Sequence, residues 1–416
     1  MNCDAALEEH RTDSRWAPGM SGAVASLALG LAREADRSAP GWAGACLDAC
    51  EPDSVVAQIR RHRISDVALP ILSEDARFEA GAIALVADSR RTRLQSMSLV
   101  AGLRRATQAL ESAAVRHLVV KGPALAAQTT GDWAARRSVD IDLLIDLRDL
   151  PAVAQALEGA GFPPRRGFAP DPKSPLFSPT ARWLQELAFG SQGHSIDVHW
   201  RLDPSRGCLT WDFQDLWNRR AYVEVGGAAV ATLAPPDAAL FNAVHAGKDC
   251  WASLHQIRDH VRIKRVAKLS ADQWQLAARE ASCQVRWAVA EEICRPLLAT
   301  QPAKEQGMDG HDRRTRLLAR RLWLWLASGQ SPTSSGSPTS QARYLSANVA
   351  GYDTPRAAMQ RLGVLVWPMQ EMSAESLGSW GNRHPWLYPA TAPLHIPRRI
   401  ASKARLATTS RTQPQG

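Results

Sequence analysis

Residues 139–145, Val-Asp-Ile-Asp-Leu-Leu-Ile, decide the fold, because they form an apolar run that two acids interrupt. Such a run is typical of a buried β-strand. Side chains on a strand alternate between its two faces, so Asp140 and Asp142 project from the same face. The pattern therefore predicts a strand over residues 139–145 that carries a pair of carboxylates on one side.

The two carboxylates need a compensating cation if this strand is buried. Like charges placed side by side in an apolar setting are costly, and a cation beside them reduces that cost. Mg²⁺ accepts carboxylate oxygens and keeps coordination positions for substrate phosphates. We therefore expect Asp140 and Asp142 to be catalytic ligands of Mg²⁺, with Mn²⁺ as the alternative ion. A solvated strand end is the competing interpretation of the pair.

A second polar pair lies on a predicted β-hairpin with strands at residues 183–189 and 195–200. Asp197 and His199 share one face of the second strand, because they are two residues apart. A third acid from a separate strand suits phosphoryl transfer with two metal ions, so Asp197 is predicted to be catalytic and a metal ligand. His199 could order Asp197, contact a phosphate or act as a base. A hydrogen-bonded histidine without a catalytic role is the alternative.

A phosphate-binding turn is predicted before the acidic strand. Residues 117–121 form a short apolar strand that ends at Lys121 and Gly122, and a helix follows at residues 124–129. Glycine lets the backbone approach a ligand closely, a helix N-terminus favours anions, and lysine adds a positive charge. Arg136 could clamp a triphosphate through two hydrogen bonds. An ordinary strand-to-helix turn is the alternative.

Helical patterns precede and follow these strands, which predicts an α+β fold with a small mixed sheet. The periodicity indicates one helix in the leader at residues 23–34, two helices within residues 74–114, and one helix at residues 341–364. The predicted divisions are a partly disordered leader (1–50), an N-terminal helical region (51–115), a core with the sheet (116–233), a helical domain (234–330), a Ser/Pro-rich linker (331–340), a helical or extended region (341–400) and a basic tail (401–416).

The net charge of +9 is concentrated at the C-terminal end of the chain. Residues 300–416 contain 15 Lys and Arg against 6 Asp and Glu, so the preceding residues are neutral as a set. A basic segment suits an anionic partner such as a nucleotide, a nucleic acid or a lipid surface. A solvated, Arg-rich flank is the simpler interpretation.

Cysteine usage and hydropathy favour a cytoplasmic protein without a membrane span. The seven cysteines are an odd number without a paired framework, which is typical of a reducing compartment. No apolar run reaches the ~18–20 residues that a membrane helix needs. The acidic N-terminus lacks the basic segment of a signal peptide. Cys46 and Cys50 could share a helix face, but they lack the second ligand pair of a zinc site.

Taken together, the motifs resemble the uncharacterised bacterial nucleotidyltransferase family, which belongs to the DNA polymerase beta-like nucleotidyltransferase superfamily. The resemblance rests on Lys-Gly-Pro-Ala-Leu at residues 121–125, Arg-x-x-x-Asp-Ile-Asp-Leu-Leu at residues 136–144 and Ile-Asp-Val-His-Trp at residues 196–200. Their order and spacing match the family pattern. The similarity extends from about residue 54 to residue 399.

The resemblance implies an enzyme that transfers a nucleoside monophosphate from a nucleoside triphosphate and releases pyrophosphate. Lys121, Gly122 and Arg136 would then face the phosphates of the nucleotide. The family's later helices add Lys248 as a nucleotide-binding residue. They also add His245 and Asp259 as accessory residues, and helix packing or capping is the alternative role for all three.

This sequence departs from the related patterns at two positions. The superfamily usually has a Gly-Ser or Gly-Gly pair before the acids, and Lys121 and Gly122 stand in that place. The family often has Glu where this chain has Asp197, whose side chain is one methylene shorter. The first departure affects how the phosphates are held, and the second affects the position of a second metal ion.

Three hypotheses for function follow. The first is transfer of a nucleotide, with ATP as the expected donor, to a hydroxyl or phosphate on a peptide or saccharide natural product. The second is a nucleotide-binding or regulatory protein on a degenerate transferase fold. The third is a nucleic-acid-binding protein that uses the basic C-terminal region, for which binding would depend steeply on salt.

Overall fold

The computed structural model describes residues 19–164, 177, 181, 184–191, 193–298, 312–328 and 338–366. The chain divides into two compact units, each built from segments that are distant in sequence. The helical unit comprises Met1–Leu94 and Ala239–Pro332, and the sheet unit comprises Gln95–Ala238 and Thr333–Gly416.

The described elements are mostly helices together with a small mixed sheet, which confirms the predicted α+β fold. The α-helices are α1 (Met20–Glu34), α2 (Gly41–Asp48), α3 (Pro52–His62), α4 (Ser65–Leu72), α5 (Glu79–Ser112), α6 (Gly122–Thr130), α7 (Leu150–Gly159), α8 (Phe213–Asn218), α9 (Pro235–Lys248), α10 (Leu254–Ala267), α11 (Ala271–Glu280), α12 (Gln284–Leu298), α13 (Arg313–Ala327), α14 (Pro338–Ala350) and α15 (Pro355–Val366). The strands are β1 (His117–Val119), β2 (Ile141–Ile145), β3 (Glu186–Ser191), β4 (His194–His199), β5 (Ala221–Val225) and β6 (Ala228–Thr232). Short 3₁₀ turns occur at Ala76–Phe78 and Leu147–Asp149.

The helical unit packs through small residues and buried ion pairs. At Gly30 of α1, a Cβ atom would lie 2.2 Å from the carbonyl oxygen of Val67 in α4, so a larger residue would push these helices apart. From α10, Arg258 and Arg262 both contact the carboxylate of Asp66 on α4. The unit is thus held by close helix contacts and by a buried charge network.

The sheet unit contains a four-stranded sheet in the order β1-β2-β4-β3. β2 and β4 are parallel, whereas β1 pairs with β2 and β3 pairs with β4 in antiparallel fashion. One face of the sheet packs into the hydrophobic core of this unit. The core residues from β2 and β4 are Ile141, Leu143, Ile145, Ile196 and Val198, and they pack with Leu103 and Leu110 of α5 and Val153 and Leu157 of α7.

A separate hairpin of β5 and β6 was not anticipated from the sequence. Gly226 and Gly227 form its turn with φ values of 60° and 81°, a conformation that glycine adopts at no steric cost. The hydroxyl of Thr232 donates a 2.6 Å hydrogen bond to the carbonyl oxygen of Val119. This bond ties the hairpin to the end of β1.

Three sequence expectations for helices were wrong. α5 is one helix of 34 residues where two were expected. Its Gly102 does not break it, because the ring of His194 fills the space where a Cβ would lie, 2.6 Å from Cδ2. The leader contains α2 in addition to α1. The helix expected at residues 341–364 is divided between α14 and α15, since Pro355 starts a new helix more readily than it continues one.

No helix in the described part of the chain combines the length and apolarity needed to cross a bilayer. Cys50, Cys208, Cys250, Cys283 and Cys294 are reduced. Cys46, in contrast, is disulfide-bonded, which departs from the expectation of uniformly reduced cysteines. Residues 331–337 of the linker predicted at 331–340 lie outside the described residues, as does the basic tail at residues 401–416, whereas residues 338–340 begin α14.

Candidate active site

The parallel pairing of β2 with β4 places two of the predicted acids side by side. Asp142 is the register partner of Asp197, and Ile141 is the partner of Ile196. Neighbouring strands lie ~4.8 Å apart, and register partners project from the same face of a sheet. The isoleucines enter the hydrophobic core, so both aspartates lie on the opposite face.

Asp140 lies directly before β2 and not within it. β2 begins at Ile141, so the strand predicted for residues 139–145 is two residues too long at its N-terminal end. The side chain of Val139 is 64% exposed, and a residue that is not buried gives no reason to extend the strand. Burial and the charge of Asp142 raise the pKa of Asp140, and Lys121 and Arg136 only partly offset this rise.

Asp142 is buried and lies between two cationic groups. The Nζ atom of Lys121 lies 3.2 Å from its Oδ1 atom, and the Nε2 atom of His199 lies 3.0 Å from the same oxygen. Lys121 follows β1 and His199 ends β4, so strands on both sides of β2 supply these partners. The arrangement holds the Asp142 carboxylate in one orientation.

Glu186 is a site residue that sequence reasoning missed. Its Oε2 atom lies 3.0 Å from Nδ1 of His199. Burial alone would lower the pKa of His199, but contacts with Asp142 and Glu186 outweigh it and raise that pKa to about 9. His199 is therefore a cation near neutral pH. The observed register pairs Ser191 with His194 and therefore Glu186 with His199. The predicted strands at residues 183–189 and 195–200 centre on residue 192 and would have paired Glu186 with Val198, which explains why sequence reasoning missed Glu186.

The surroundings of Asp197 disfavour the ionised form of its carboxyl group. Burial is the largest cause, and the charges of Glu186 and Asp142 add to it, so its pKa rises to about 6 although His199 lowers it. Because more anions than cations surround Asp197, an additional positive charge at this face of the sheet would stabilise its ionised form. Asp197 thus behaves differently from Asp142, whose carboxylate has two cationic contacts.

Lys121 and Gly122 mark the passage from β1 to α6. β1 ends at Val119 and α6 begins at Gly122, so the strand is shorter and the helix starts earlier than predicted. Gly122 has a φ of 59°, and a Cβ atom there would lie 3.3 Å from Oγ of Ser138 and 3.8 Å from the carbonyl oxygen of Asp140. The helix N-terminus therefore lies close to the loop that carries Asp140.

Arg136 lies on that same loop. Its Nη1 atom donates a 2.9 Å hydrogen bond to Oγ of Ser138. Its positive charge lowers the pKa of Asp140. The predicted phosphate-facing residues Lys121, Gly122 and Arg136 are thus brought together around the acids.

The three aspartates offer the kind of oxygen ligands that a divalent ion prefers. Asp140, Asp142 and Asp197 offer carboxylate oxygens on one side of the sheet, and the pKa values of Asp140 and Asp197 are raised. Within the described ranges, no three His, Cys, Asp or Glu side chains are arranged as a ready metal cluster. An ion here would therefore require the aspartate side chains to turn toward it.

Lys248, His245 and Asp259 lie in the helical unit. Nδ1 of His245 lies 3.5 Å from the carboxylate of Asp249, one helical turn away. Asp259 is buried, and its Oδ1 atom accepts a 2.8 Å hydrogen bond from Arg258. A nucleotide-binding role for Lys248 and accessory roles for His245 and Asp259 stay predictions.

The comparisons with known proteins give one match. The family described as "Uncharacterised nucleotidyltransferase" matches residues 48–293, which include the whole cluster of acids and cations described above. No curated protein and no solved structure matches the chain.

Proposed function

Because the chain belongs to the uncharacterised nucleotidyltransferase family, we propose that it transfers a nucleoside monophosphate in a divalent-metal-dependent reaction. The donor is a nucleoside triphosphate, with ATP expected, and the acceptor is a hydroxyl or phosphate on a peptide or saccharide natural product. The observation that carries the proposal is the register pairing of Asp142 with Asp197, with Asp140 directly before the same strand.

Asp140, Asp142 and Asp197 would hold Mg²⁺, with Mn²⁺ as the alternative. When bound, the metal stabilises charge on the transferring phosphoryl group and activates the acceptor oxygen. The raised pKa values of Asp140 and Asp197 support this assignment, because added positive charge would relieve the repulsion between the acids.

The phosphates of the triphosphate are assigned to the turn before α6. Gly122 opens the helix, whose first N–H groups favour an anion, and it leaves room for close approach. Arg136 adds a guanidinium on the neighbouring loop. Lys121 contacts Asp142, so this ammonium can hold that carboxylate or reach a phosphate oxygen as the nucleotide enters.

His199 is assigned a positioning role. With a pKa of about 9 it is protonated near neutral pH and therefore has no lone pair with which to act as a base. Its contacts with Asp142 and Glu186 fix two carboxylates on neighbouring strands. Among the roles predicted for His199, its protonation and its contacts favour the positioning of a carboxylate over the abstraction of a proton.

A labelling experiment tests the transfer. The protein is incubated with Mg²⁺, each of four nucleoside triphosphates labelled at the α-phosphate, and a lysate of the producing cells. A labelled acceptor is expected, and Asp140→Asn and Asp142→Asn should abolish it. Asp146→Asn is the matched control, because Asp146 follows the same strand and pairs with the exposed Arg148. No label with any of the four nucleotides would contradict transfer.

A nucleotide-binding protein without transferase activity is the second candidate. The observation that favours it is the pairing of Asp142 with Lys121 and His199, which partly neutralises the acids without a metal. Calorimetry with ATP separates the two candidates. Binding that is unchanged by Mg²⁺ and by Asp197→Asn would favour the binding protein, whereas binding that requires Mg²⁺ favours the enzyme.

A further inference from the structure

A cavity of about 230 Å³ lies beside the acidic face, within the sheet unit. Leu144 of β2 forms part of its wall, and the segment after β4 forms most of the rest. Leu144 lies two residues beyond Asp142 on the same face and is the register partner of His199. Two residues of a strand span ~7 Å, so the cavity begins one side chain away from the acids.

The charged groups that line the cavity are two arginines and one aspartate. Arg201 is half-buried and Arg206 is exposed, while Asp203 is buried. Asp203 accepts hydrogen bonds from the hydroxyl of Tyr352 at 3.1 Å and from the backbone N–H of Ser205 at 2.8 Å. Burial and the charge of Arg206 lower the pKa of Arg201 to about 10 despite Asp203. Two of the three charged side chains that line the cavity are therefore cationic.

A buried hydroxyl supplies a second, independent sign of a ligand. Ser205 is 1% exposed, and its Oγ atom has no hydrogen-bond partner among the described residues. A buried hydroxyl without a hydrogen-bond partner is destabilising, so a bound polar group at this point is favourable. Trp200, Trp211 and Phe213 complete the wall with aromatic surface.

Residues beyond the family match hold the cavity loop in place. The backbone N–H of Arg206 donates a 2.9 Å hydrogen bond to the side-chain oxygen of Gln360 on α15. At Gly207, a Cβ atom would lie 2.8 Å from Cβ of Ala357 on the same helix. These helices lie outside residues 48–293, so the shape of this cavity depends on a part of the chain that the family pattern does not include.

We infer that this cavity is the acceptor subsite, and that it binds a carboxylate or phosphate group attached to a small aromatic or apolar body. Arg206 lies at the exposed mouth, whereas Arg201 and Ser205 receive the oxyanion inside. The aromatic walls hold the body, and the group to be modified extends past Leu144 toward the acids. This inference rests on the proposed function, because an acceptor is needed only if transfer occurs.

The test is calorimetric titration of the full chain in EDTA, without nucleotide. The probes are 4-hydroxybenzoate and phenyl phosphate, with neutral 4-hydroxybenzamide for comparison. At least one anion should bind, and the one that binds more tightly identifies the preferred oxyanion. Arg201→Gln should weaken that binding by about tenfold or more, and Ser205→Ala by about threefold to tenfold. Arg148→Gln removes an equal charge from an exposed position and should leave binding unchanged.

Several results would overturn the inference. One is that the neutral amide binds as tightly as the anions, and another is that neither anion gives a heat of binding. A third is that ATP displaces the bound probe, which would assign the cavity to the nucleotide. Arg201 also donates a 2.7 Å hydrogen bond to the carbonyl oxygen of Leu184, so its variant could misfold. In that case Ser205→Ala and Arg206→Gln decide, and unchanged affinity in both contradicts the inference. Asp140→Asn separates this inference from the proposed function. If this variant loses transfer but still binds the anion, the cavity binds its ligand independently of the transfer reaction.

Discussion

The buried charges of the two units differ in their balance. In the helical unit, Arg258 contacts Asp66 and Asp259, while Arg262 contacts Asp66 and Glu34. Burial would lower the pKa values of both arginines, but the neighbouring carboxylates outweigh it and raise them. Each buried cation therefore has carboxylate partners within the unit, as expected for a structural network.

In the sheet unit, the nearby cations offset only part of the negative charge of the carboxylates. Lys121 and His199 both contact Asp142. Asp140 and Asp197 retain raised pKa values, because burial and neighbouring carboxylates oppose their ionisation. Under the proposed function, the difference separates a structural charge network from a functional one: the first is complete within the protein, and the second would be completed by a metal ion.

The largest expected effect comes from breaking the complete network. Arg258→Met should lower the free energy of unfolding by about 3–5 kcal/mol, because it removes the buried guanidinium that pairs with both Asp66 and Asp259. Urea denaturation followed by circular dichroism measures the change. Arg33→Met is the control, since its ion pair with Glu74 is exposed and should contribute little. Equal stability of the two variants would show that the buried network is not structural.

Removing an acid from the acidic face of the sheet unit should stabilise the protein, whereas the loss of Arg258 destabilises it. Asp197→Asn is expected to raise the free energy of unfolding by about 1–3 kcal/mol in EDTA at neutral pH, because it removes a carboxylate whose pKa is raised to about 6. Mg²⁺ should stabilise the wild-type protein more than the variant. The measurement is urea denaturation with and without Mg²⁺. A variant that is less stable in EDTA would contradict the idea of an unsatisfied acidic face.

Acid sensitivity should separate the units further. Burial would raise the pKa of Glu291 in the helical unit, but His260 and Lys264 outweigh it and lower the pKa to about 2. A lowered carboxylate pKa stabilises the fold above the unfolded value of ~4.3, and this contribution is lost as the pH falls toward 2. Glu291→Gln should lower stability by about 1–2 kcal/mol at neutral pH and less in acid.

The matched control for this acid dependence is Glu292→Gln, which changes the adjacent acid on the same helix. Glu292 forms an ion pair with Arg295, three residues later on this helix. Stability is measured by urea denaturation between about pH 2.5 and pH 7, the range over which the unfolded-state carboxylate, with a pKa of ~4.3, gains its proton while the folded-state carboxylate stays largely ionised. A stability loss in Glu291→Gln that is constant over this range would mean that packing, and not charge, explains the effect.

The acidic face could be predicted from the sequence because strand alternation is a strong local rule. Asp140, Asp142 and Asp197 follow from the spacing of acids in two apolar runs, and the pairing of β2 with β4 brings those runs together. The family resemblance, which the match over residues 48–293 bears out, supplied the chemical class. The parallel register itself depends on the tertiary fold, so the sequence could not give it.

The cavity beside the acids could not be predicted. Its wall consists of irregular backbone at residues 200–213, where no periodicity guides a prediction. The loop is held by Tyr352 and Gln360, more than a hundred residues away in sequence. Glu186 was missed for a smaller reason, because the predicted hairpin register was one residue away from the observed pairing of Glu186 with His199. Local rules therefore identify strands and their faces, while long-range packing determines the pocket.

The smallest expected effect compares two glycines at the ends of α6. Gly122 and Gly131 have φ values of 59° and 73°, so an alanine at either should cost about 1 kcal/mol in unfolding free energy. Their surroundings differ, since a Cβ atom at Gly122 meets Ser138 and the carbonyl oxygen of Asp140, whereas one at Gly131 meets open space.

If Gly122 lets phosphates approach the loop of acids, Gly122→Ala should weaken binding of Mg²⁺ and ATP by about tenfold, and Gly131→Ala should leave it unchanged. Denaturation gives the stability of each variant, and calorimetry gives the affinity. Equal affinity in the two variants would remove the turn before α6 from the nucleotide site. The unbalanced acids would then bind their cation without help from this helix, and Arg136 would become the principal phosphate contact to test.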